Sequence, residues 1–391
     1  MKILVIHNQY LEKGGEDRVV DLEIKMLEDY GNEVIFYQCS NKDIKSFSLF
    51  NKFKFLFRDI NWNKKSYQEL KRLVIIEKPD IAHIHNIFIL LSPSVYFALK
   101  EARIPIVQTL HNYRLICLKG TFYTNNRICE DCLFGNRIKA VFKKCWRDSF
   151  ILSVFLARML YKNTKNRIFQ DNVDSFIALS EFSANKFKKA GFPEDKIFIK
   201  PNFVDFDFKT EKNEKYGLFL GRIVDYKGLD TLLKAYTKLD KYNLKIIGNG
   251  PMFKEIKERI KDSKNIQLLG ELSHEESMGY LRKADYLIFP SECYENMPLT
   301  IVESLANGIP VITTDLGAMK ELIEDNVTGL LFKARDSDDL IKKIKFLTDN
   351  RKLYDEMKVS ARKIYEEKFT RQTNYDKLMH IYGKTIKEYK R

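Results

Sequence analysis

Apolar residues follow two rhythms along this chain. Short runs rich in apolar residues at 2–7 (KILVIH), 33–38 (EVIFYQ), 81–85 (IAHIH), 104–109 (IPIVQT), 175–179 (SFIAL) and 197–199 read as strands. Between them, at 16–30, 66–77, 93–102 and 181–190, apolar positions recur every three to four residues, which reads as helix. Strand alternating with helix predicts parallel βαβ units. The alternation stops at Lys200-Pro201-Asn202-Phe203, crosses a charged tract at 209–215 (KTEKNEK), and restarts. Strands are then expected at 216–221, 244–248, 265–269, 286–289 and 310–313. Helices are expected at 228–239, 251–261, 274–283, 319–324, 336–349 and 351–368. This predicts an α/β chain of two doubly wound, Rossmann-like domains, 1–200 and 201–370, facing across a cleft. A last helix, 371–391, is expected to cross back onto the first domain.

The most informative window runs from Pro290 to Pro310, PSECYENMPLTIVESLANGIP. It follows the expected strand 286–289. Pro298 stands where a first-turn proline is tolerated, Leu299, Ile301, Val302 and Leu305 recur at helical spacing, and Gly308 with Pro310 supplies the stop. Strand, loop and helix in succession put Glu295, Asn296 and Met297 at the carboxyl edge of a sheet and the positive end of a helix. Ligands of open α/β sheets bind there, and phosphates are welcome. Glu295 lies just outside the helix and Glu303 inside it; each carboxylate can accept two neighbouring hydroxyls of a sugar or ribose. A helix-start Glu favoured by the dipole, with a solvated Glu303, is the plainer alternative.

Further polar positions fall at other expected strand ends. Gly221-Arg222 closes one strand and Lys227-Gly228 opens the next helix, so two cations flank the place where a pyrophosphate would sit. An exposed basic loop is the alternative. Gly248-Asn249-Gly250 forms a glycine-rich turn permissive for a nucleotide, and Gly14-Gly15 permits close approach of backbone to a ligand. The dinucleotide pattern G-x-G-x-x-G does not occur, which counts against a nicotinamide enzyme. His111, after the run IPIVQTL, is expected at the cleft edge; His83 and His85 alternate on their strand, with His85 read as a packing or supporting residue.

Composition narrows the setting. With 391 residues, 45% hydrophobic and 31% charged, the chain suits two soluble domains. It contains no run of eighteen apolar residues, and its first residues read as a strand rather than a signal peptide, which implies a cytoplasmic protein. Lys and Arg number 67 against 53 acids, a net +14, which favours polyanions or anionic lipid unless it reflects coding bias. The excess clusters: residues 135–170 hold nine Lys/Arg against Asp148 alone, interleaved with Phe142, Trp146, Phe150, Phe155 and Tyr161. A second basic-aromatic stretch, SFSLFNKFKFLFR, spans 46–58. Cys117, Cys129, Cys132 and Cys145, spaced C-x11-C-x2-C-x12-C, read first as a structural four-thiolate zinc site, with plain thiols or redox pairing left open.

Assembled, these motifs resemble a retaining glycosyltransferase of family 4, with the two-Rossmann GT-B fold, over nearly the whole length. The resemblance lies in GGEDRVVDLE, HIHN, TLHNYRLIC, KPNFVD, GRIVDYKG, IIGNGP and the paired glutamates of ENMPLTIVE. It implies that Arg222 and Lys227 hold the donor diphosphate, Glu303 the ribose diol and Glu295 a donor-sugar hydroxyl. It further implies that amides of Asn296, Met297, Pro298's neighbours and Leu299 reach phosphate and hexose, that Gly15 closes the site, and that His111 lies near the transferred sugar. Where this family often has Gly after the first Glu, this chain has Asn296. The four-cysteine segment is similar to one found in a subset of the family. The implied reaction moves sugar from a nucleotide-diphosphate sugar with retention and needs no divalent metal or other cofactor. The basic-aromatic stretches are expected to dock on an anionic membrane face that carries a polyprenyl-diphosphate-linked or other glycan acceptor for capsule or O-antigen assembly. Two rivals are a sugar-nucleotide epimerase of the same fold and a nucleic-acid-binding protein with a zinc module. The second is disfavoured because the chain carries no recognised reader motif.

Overall fold

The computed structural model describes residues 1–11, 14–205, 211 and 213–390, without the side chains at 45, 49, 50 and 53. Positions 209, 210 and 212 of the charged tract 209–215 thus lie outside the described residues, as do four side chains at or beside the 46–58 stretch. The chain forms two compact units: 1–124, 129–201 and 371–391 make the first, and 202–370 with 125–128 the second.

The first unit is built on strands β1 (Lys2–Gln9), β2 (Glu33–Ser40), β3 (Ile81–Asn86), β4 (Ile106–Leu110), β5 (Ser175–Ala178) and β6 (Ile197–Ile199). They lie in the order β2-β1-β3-β4-β5-β6, every pairing parallel. Ile3, Leu4, Val5 and Ile6 are all buried because helices cover both faces of such a sheet, hence the continuous apolar run. The C-terminal helix Arg371–Tyr389 belongs to this unit: Tyr382 OH meets His83 Nδ1 at 2.7 Å, Thr385 meets Ser175 at 2.7 Å, and Tyr375 stacks on Tyr30 at 4.0 Å.

The second unit holds β7 (Tyr216–Leu220), β8 (Asn243–Ile247), β9 (Ile266–Gly270), β10 (Tyr286–Phe289), β11 (Val311–Thr314) and β12 (Gly329–Phe332). Their order is β9-β8-β7-β10-β11-β12, again parallel throughout. The order reverses between β7 and β10, so the loops leaving those two strands start side by side, at the position where doubly wound sheets bind ligands.

Two parts of the pattern are not what the sequence rhythm predicts. Strand β12 has four residues, led by a glycine whose added Cβ would lie 2.1 Å from the Val311 carbonyl oxygen, and no alternation marks it. Helices Arg137–Phe142, Phe150–Lys165 and Ile168–Asn172 fill the basic-aromatic stretch, where Ile138, Phe142 and Ile151 face solvent and blur any polar–apolar period. Among the described residues, no helix is long and apolar enough to cross a membrane.

Candidate functional site

In the second unit three strand-end loops are locked together by glycines. Gly228, at φ +72°, would carry a Cβ 1.9 Å from the Pro290 carbonyl oxygen. Gly248 and Gly250 would place theirs 1.9 Å from the Gly221 oxygen and 2.3 Å from the Ile223 oxygen. Ile223 N–H also donates to the Asn249 carbonyl at 2.9 Å. The loops after β7, β8 and β10 therefore approach more closely than any side chain would permit.

That approach brings Lys227 to Glu295. Lys227 Nζ donates to Glu295 Oε1 at 2.6 Å, and Ser291 Oγ donates to the same oxygen at 2.7 Å. The two charged side chains are 16% and 17% exposed, so each would pay for desolvation if left alone. Burial works against both charges, and their mutual attraction outweighs it: the ammonium is held above its ordinary range and the carboxyl below. The Phe289 ring lies 4.8 Å from Nζ. Arg222 is exposed on the same loop.

Pro298 begins the helix Leu299–Ala306 without a side-chain cap, so its first-turn amides are not occupied by a capping side chain. Asn202 fixes the loop just before it, its backbone N–H donating to Met297 Sδ at 2.9 Å and its Nδ2 to the Met297 carbonyl at 3.2 Å. Glu303 is buried on this helix, not solvated, and its Oε1 sits 3.0 Å from Nε2 of half-exposed His274. Asn296 is buried in the loop between. Beside them Glu292 Oε2 accepts from Arg335 Nε at 2.7 Å, and its Oε1 from Thr231 at 3.2 Å.

The first unit presents a second group of polar residues. Gly14 and Gly15 are exposed at the start of helix Gly15–Asp29, with open space where a Cβ would be. Gly14 N–H donates to Asp17 Oδ2 at 2.8 Å, and Asp17 Oδ1 meets His7 Nε2 at 2.8 Å. Tyr10 OH donates to Glu16 Oε2 at 3.1 Å, and Asn112 Nδ2 donates to the same oxygen at 3.0 Å. Burial pushes the Glu16 carboxyl up to about 7 against the pull of His7.

His111 is half-buried after β4, its Nε2 2.8 Å from His85 Nδ1 and its ring stacked on that of His85 at 5.1 Å. Behind them His85 Nε2 lies 3.3 Å from Glu23 Oε1, and Glu23 Oε2 pairs with Lys200 Nζ at 2.9 Å. Burial depresses His85 to about 3 and His111 well below the ordinary imidazole range, in each case with help from a neighbouring histidine. Glu23, His83 and His85 bring their donor atoms within 4.8 Å of one another, as metal ligands do. Part of the trio is already engaged, His83 Nε2 meeting Thr109 Oγ1 at 2.7 Å, His83 Nδ1 meeting Tyr382 and Lys200 neutralising Glu23, while Glu23 Oε1 and His85 Nε2 form no hydrogen bond. A cation would have to displace an ammonium held in the same buried pocket.

Residues 13–208, just over half the chain, match the model of "Glycosyltransferase Family 4", and residues 202–364 match "Glycosyl transferases group 1". The chain belongs to glycosyltransferase family 4. An uncharacterised glycosyltransferase of Methanocaldococcus jannaschii is 26% identical over 94% of this chain and 98% of its own. An amylovoran biosynthesis glycosyltransferase of Erwinia amylovora is 25% identical over 56% of this chain and 58% of its own. Among solved structures, HepE of Anabaena in complex with UDP superposes with a TM-score of 0.67 at 16% identity, over 98% of this chain and 100% of its own. The fold is thus the GT-B arrangement of two Rossmann-like domains, and this glycosyltransferase has relatives in polysaccharide biosynthesis.

The transferase carries its four cysteines in the first unit, where Cys117, Cys129, Cys132 and Cys145 line one small cavity. A hydrogen bond from Cys132 is the main cause that holds the Cys117 thiol below its ordinary range. Lys143 Nζ lies 3.1 Å from Cys129 Sγ. As soft donors around one space the four suit zinc, but among the described residues no three of their sulfurs share the mutual 4.8 Å reach that the Glu23 trio has. Binding would have to draw them inward.

His274, Glu16, Glu23 and Lys200 are given no role of their own by the sequence, although the last three lie inside quoted motifs. Ser273 and Glu276 form a capping box that fixes a helix start directly after β9, which would have marked His274. Glu23 sits amid Val19, Val20, Met26 and Leu27, three and four residues either side, a lone carboxylate inside an apolar stripe.

Proposed function

We propose that this chain transfers a sugar, with retention at the anomeric carbon, from a nucleotide-diphosphate sugar to a glycan or polyprenyl-diphosphate-linked acceptor in surface polysaccharide assembly, capsule or O-antigen. The observation that carries the reading is the half-buried Lys227–Glu295 pair where the strand order reverses, beside an uncapped helix start. An arriving diphosphate would share Lys227 and take Arg222 and the first-turn amides, leaving the Glu295 carboxylate to accept sugar hydroxyls. Glu303, already an acceptor toward His274, has the chemistry to take a ribose diol. As the bond from the anomeric carbon to the diphosphate breaks, these cations and amides offset the charge that develops on the leaving oxygen. The acceptor oxygen bonds to that carbon on the same face, and its proton passes to the departing phosphate, so no protein base is required. Gly14, Gly15 and His111, all on the first unit, are assigned to the donor sugar and its diphosphate by the same reading. The solved relative's UDP complex supports a nucleoside-diphosphate donor.

The test is transfer from a panel of UDP-, GDP- and ADP-sugars to a lipid-linked acceptor, with the product's anomeric configuration read by NMR. Lys227→Met should lower kcat by roughly 100-fold or more, the scale of losing a charge-stabilising donor. Glu303→Gln should raise the donor KM about tenfold, near 1.4 kcal/mol of lost hydroxyl binding. Wild-type kinetics in both variants, or an inverted product, would sink the proposal. A rearranged free sugar formed without acceptor would point to an epimerase instead.

For the four cysteines the same reading gives a structural part, with zinc held by Cys117, Cys129, Cys132 and Cys145 and no place in the chemistry. Elemental analysis should find one zinc per chain, lost in Cys132→Ser. Metal-free protein with four titratable thiols in this segment would refute it.

A further inference from the structure

The buried residues behind His111 do more than fill space. Resting on the transferase reading, we propose that Glu23, acting through His85, fixes the tautomer of His111, with the proton on Nε2 and the lone pair on Nδ1. The geometry is a chain: Glu23 Oε1 to His85 Nε2 at 3.3 Å, then His85 Nδ1 to His111 Nε2 at 2.8 Å. Direction follows from charge. Lys200, 2.9 Å from Glu23 Oε2, keeps the carboxylate ionised, and an ionised carboxylate can only accept. The 3.3 Å contact does not meet hydrogen-bond geometry and acts through charge and dipole, yet a bare Nε2 there would set a lone pair against an anion. His85 therefore carries its proton on Nε2. A neutral His85 then has a bare Nδ1, which accepts from His111 Nε2–H.

The remaining groups around this chain agree with the assignment. His83 Nδ1 faces Glu23 Oε1 at 3.0 Å and Tyr382 OH at 2.7 Å, and its Nε2 faces Thr109. His7, whose ring lies edge-on to that of His85 at 6.4 Å, is engaged by Asp17. Asn374 Oδ1 accepts from Lys200 at 2.9 Å, so the ammonium is anchored on two sides. Burial keeps both His85 and His111 neutral. The consequence is chemical: His111 offers an uncharged hydrogen-bond acceptor at Nδ1, which can orient a donor-sugar hydroxyl without adding positive charge beside an oxocarbenium-like sugar. His85 and Glu23 are positioning residues, because neither is placed against substrate.

The experiment uses the full chain labelled with 15N-histidine and long-range 1H–15N correlation spectra, His111 being assigned by the signal lost in His111→Gln. Wild-type His85 and His111 should both show the neutral pattern with pyrrole-like Nε2 and pyridine-like Nδ1. In Glu23→Gln, Lys200 selects the amide oxygen and turns the amide N–H toward His85, which reverses every hydrogen bond and moves the His111 proton to Nδ1. Its kcat should fall by about 100-fold or more while donor KM stays within about twofold, the pattern of a wrong-tautomer variant. If that protein fails to fold, His85→Phe keeps the ring stack and should give His111 averaged shifts between the two tautomers. A wild-type His111 protonated on Nδ1, an imidazolium, or a tautomer unmoved in the variants would overturn the inference. The expected spectra with no sugar transfer by any variant or wild type would instead refute the transferase reading and leave the tautomer assignment standing.

Discussion

Glu16 stands in the first turn of helix Gly15–Asp29, where the dipole favours a carboxylate, yet burial pushes its carboxyl up to about 7 from 4.5. The folded state then binds a proton more tightly than the unfolded chain does. The stability from that proton is fully present below pH 4.5 and is lost as pH rises through about 7. Glu16→Gln removes the loss while keeping an oxygen for Asn112 and Tyr10. It should match wild type at acid pH and exceed it above neutrality by roughly 1–3 kcal/mol, after discounting for partial exposure. Thermal melts of both proteins across pH give the difference curve, and a flat one would refute the shifted carboxyl. Side chains differ in how far the sequence reveals them. Lys227, Glu295 and Glu303 were legible because glycines and a proline mark the strand ends that carry them. Glu23, Lys200 and His274 act through partners distant in sequence, Lys200 reaching Glu23 across 177 positions, and local spacing holds no trace of such pairs.

Elements divide by whether backbone or side chain occupies the space beside them. Gly228 and Gly248 have positive φ and face carbonyl oxygens 1.9 Å from where a Cβ would lie, and backbone cannot swing aside as a side chain tip can. Gly228→Ala and Gly248→Ala should each cost about 2 kcal/mol or more, visible as a fall in denaturation midpoint. Gly15→Ala meets open space and should leave stability within about 0.5 kcal/mol, yet raise the donor KM if the helix start closes on the ligand. Equal stability losses at all three positions would show that these loops are not held as described. The same physics explains which elements could be read. Strands such as β1 and β10 are buried on both faces, so their composition alone reveals them. Strand β12 is short and opens on glycine, and the helices between Arg137 and Asn172 expose apolar residues, so neither gives a clean period.

Apolar side chains in water on those helices and on the turn before them have a cost that the whole molecule must recover elsewhere. Phe134, Ile138, Phe142 and Ile151 are 76%, 71%, 72% and 65% exposed, and Phe142 meets Phe150 with ring centroids 5.9 Å apart. Phe155 packs edge-on against Phe57 at 4.5 Å, so the basic-aromatic stretches of 46–58 and 135–170 meet in the first unit. Lys139, Lys144, Arg147, Arg158 and Lys162 are exposed among them, and the chain carries a net +14. Aromatic and aliphatic residues ringed by cations suit an anionic bilayer face: each cation near such a surface adds about 1 kcal/mol, and each buried apolar side chain about 1.5–3. A nucleic acid would reward the cations and leave Ile138 and Ile151 in water. We expect co-sedimentation with vesicles that contain phosphatidylglycerol, weakening as salt rises, and little with purely zwitterionic ones. Ile138→Ser with Phe142→Ser should weaken that binding by about tenfold or more. The same variant should slow transfer to an acceptor embedded in vesicles and leave transfer to a soluble acceptor analogue unchanged. Vesicle binding indifferent to anionic lipid, or equal losses on both acceptors, would leave the patch without a membrane role.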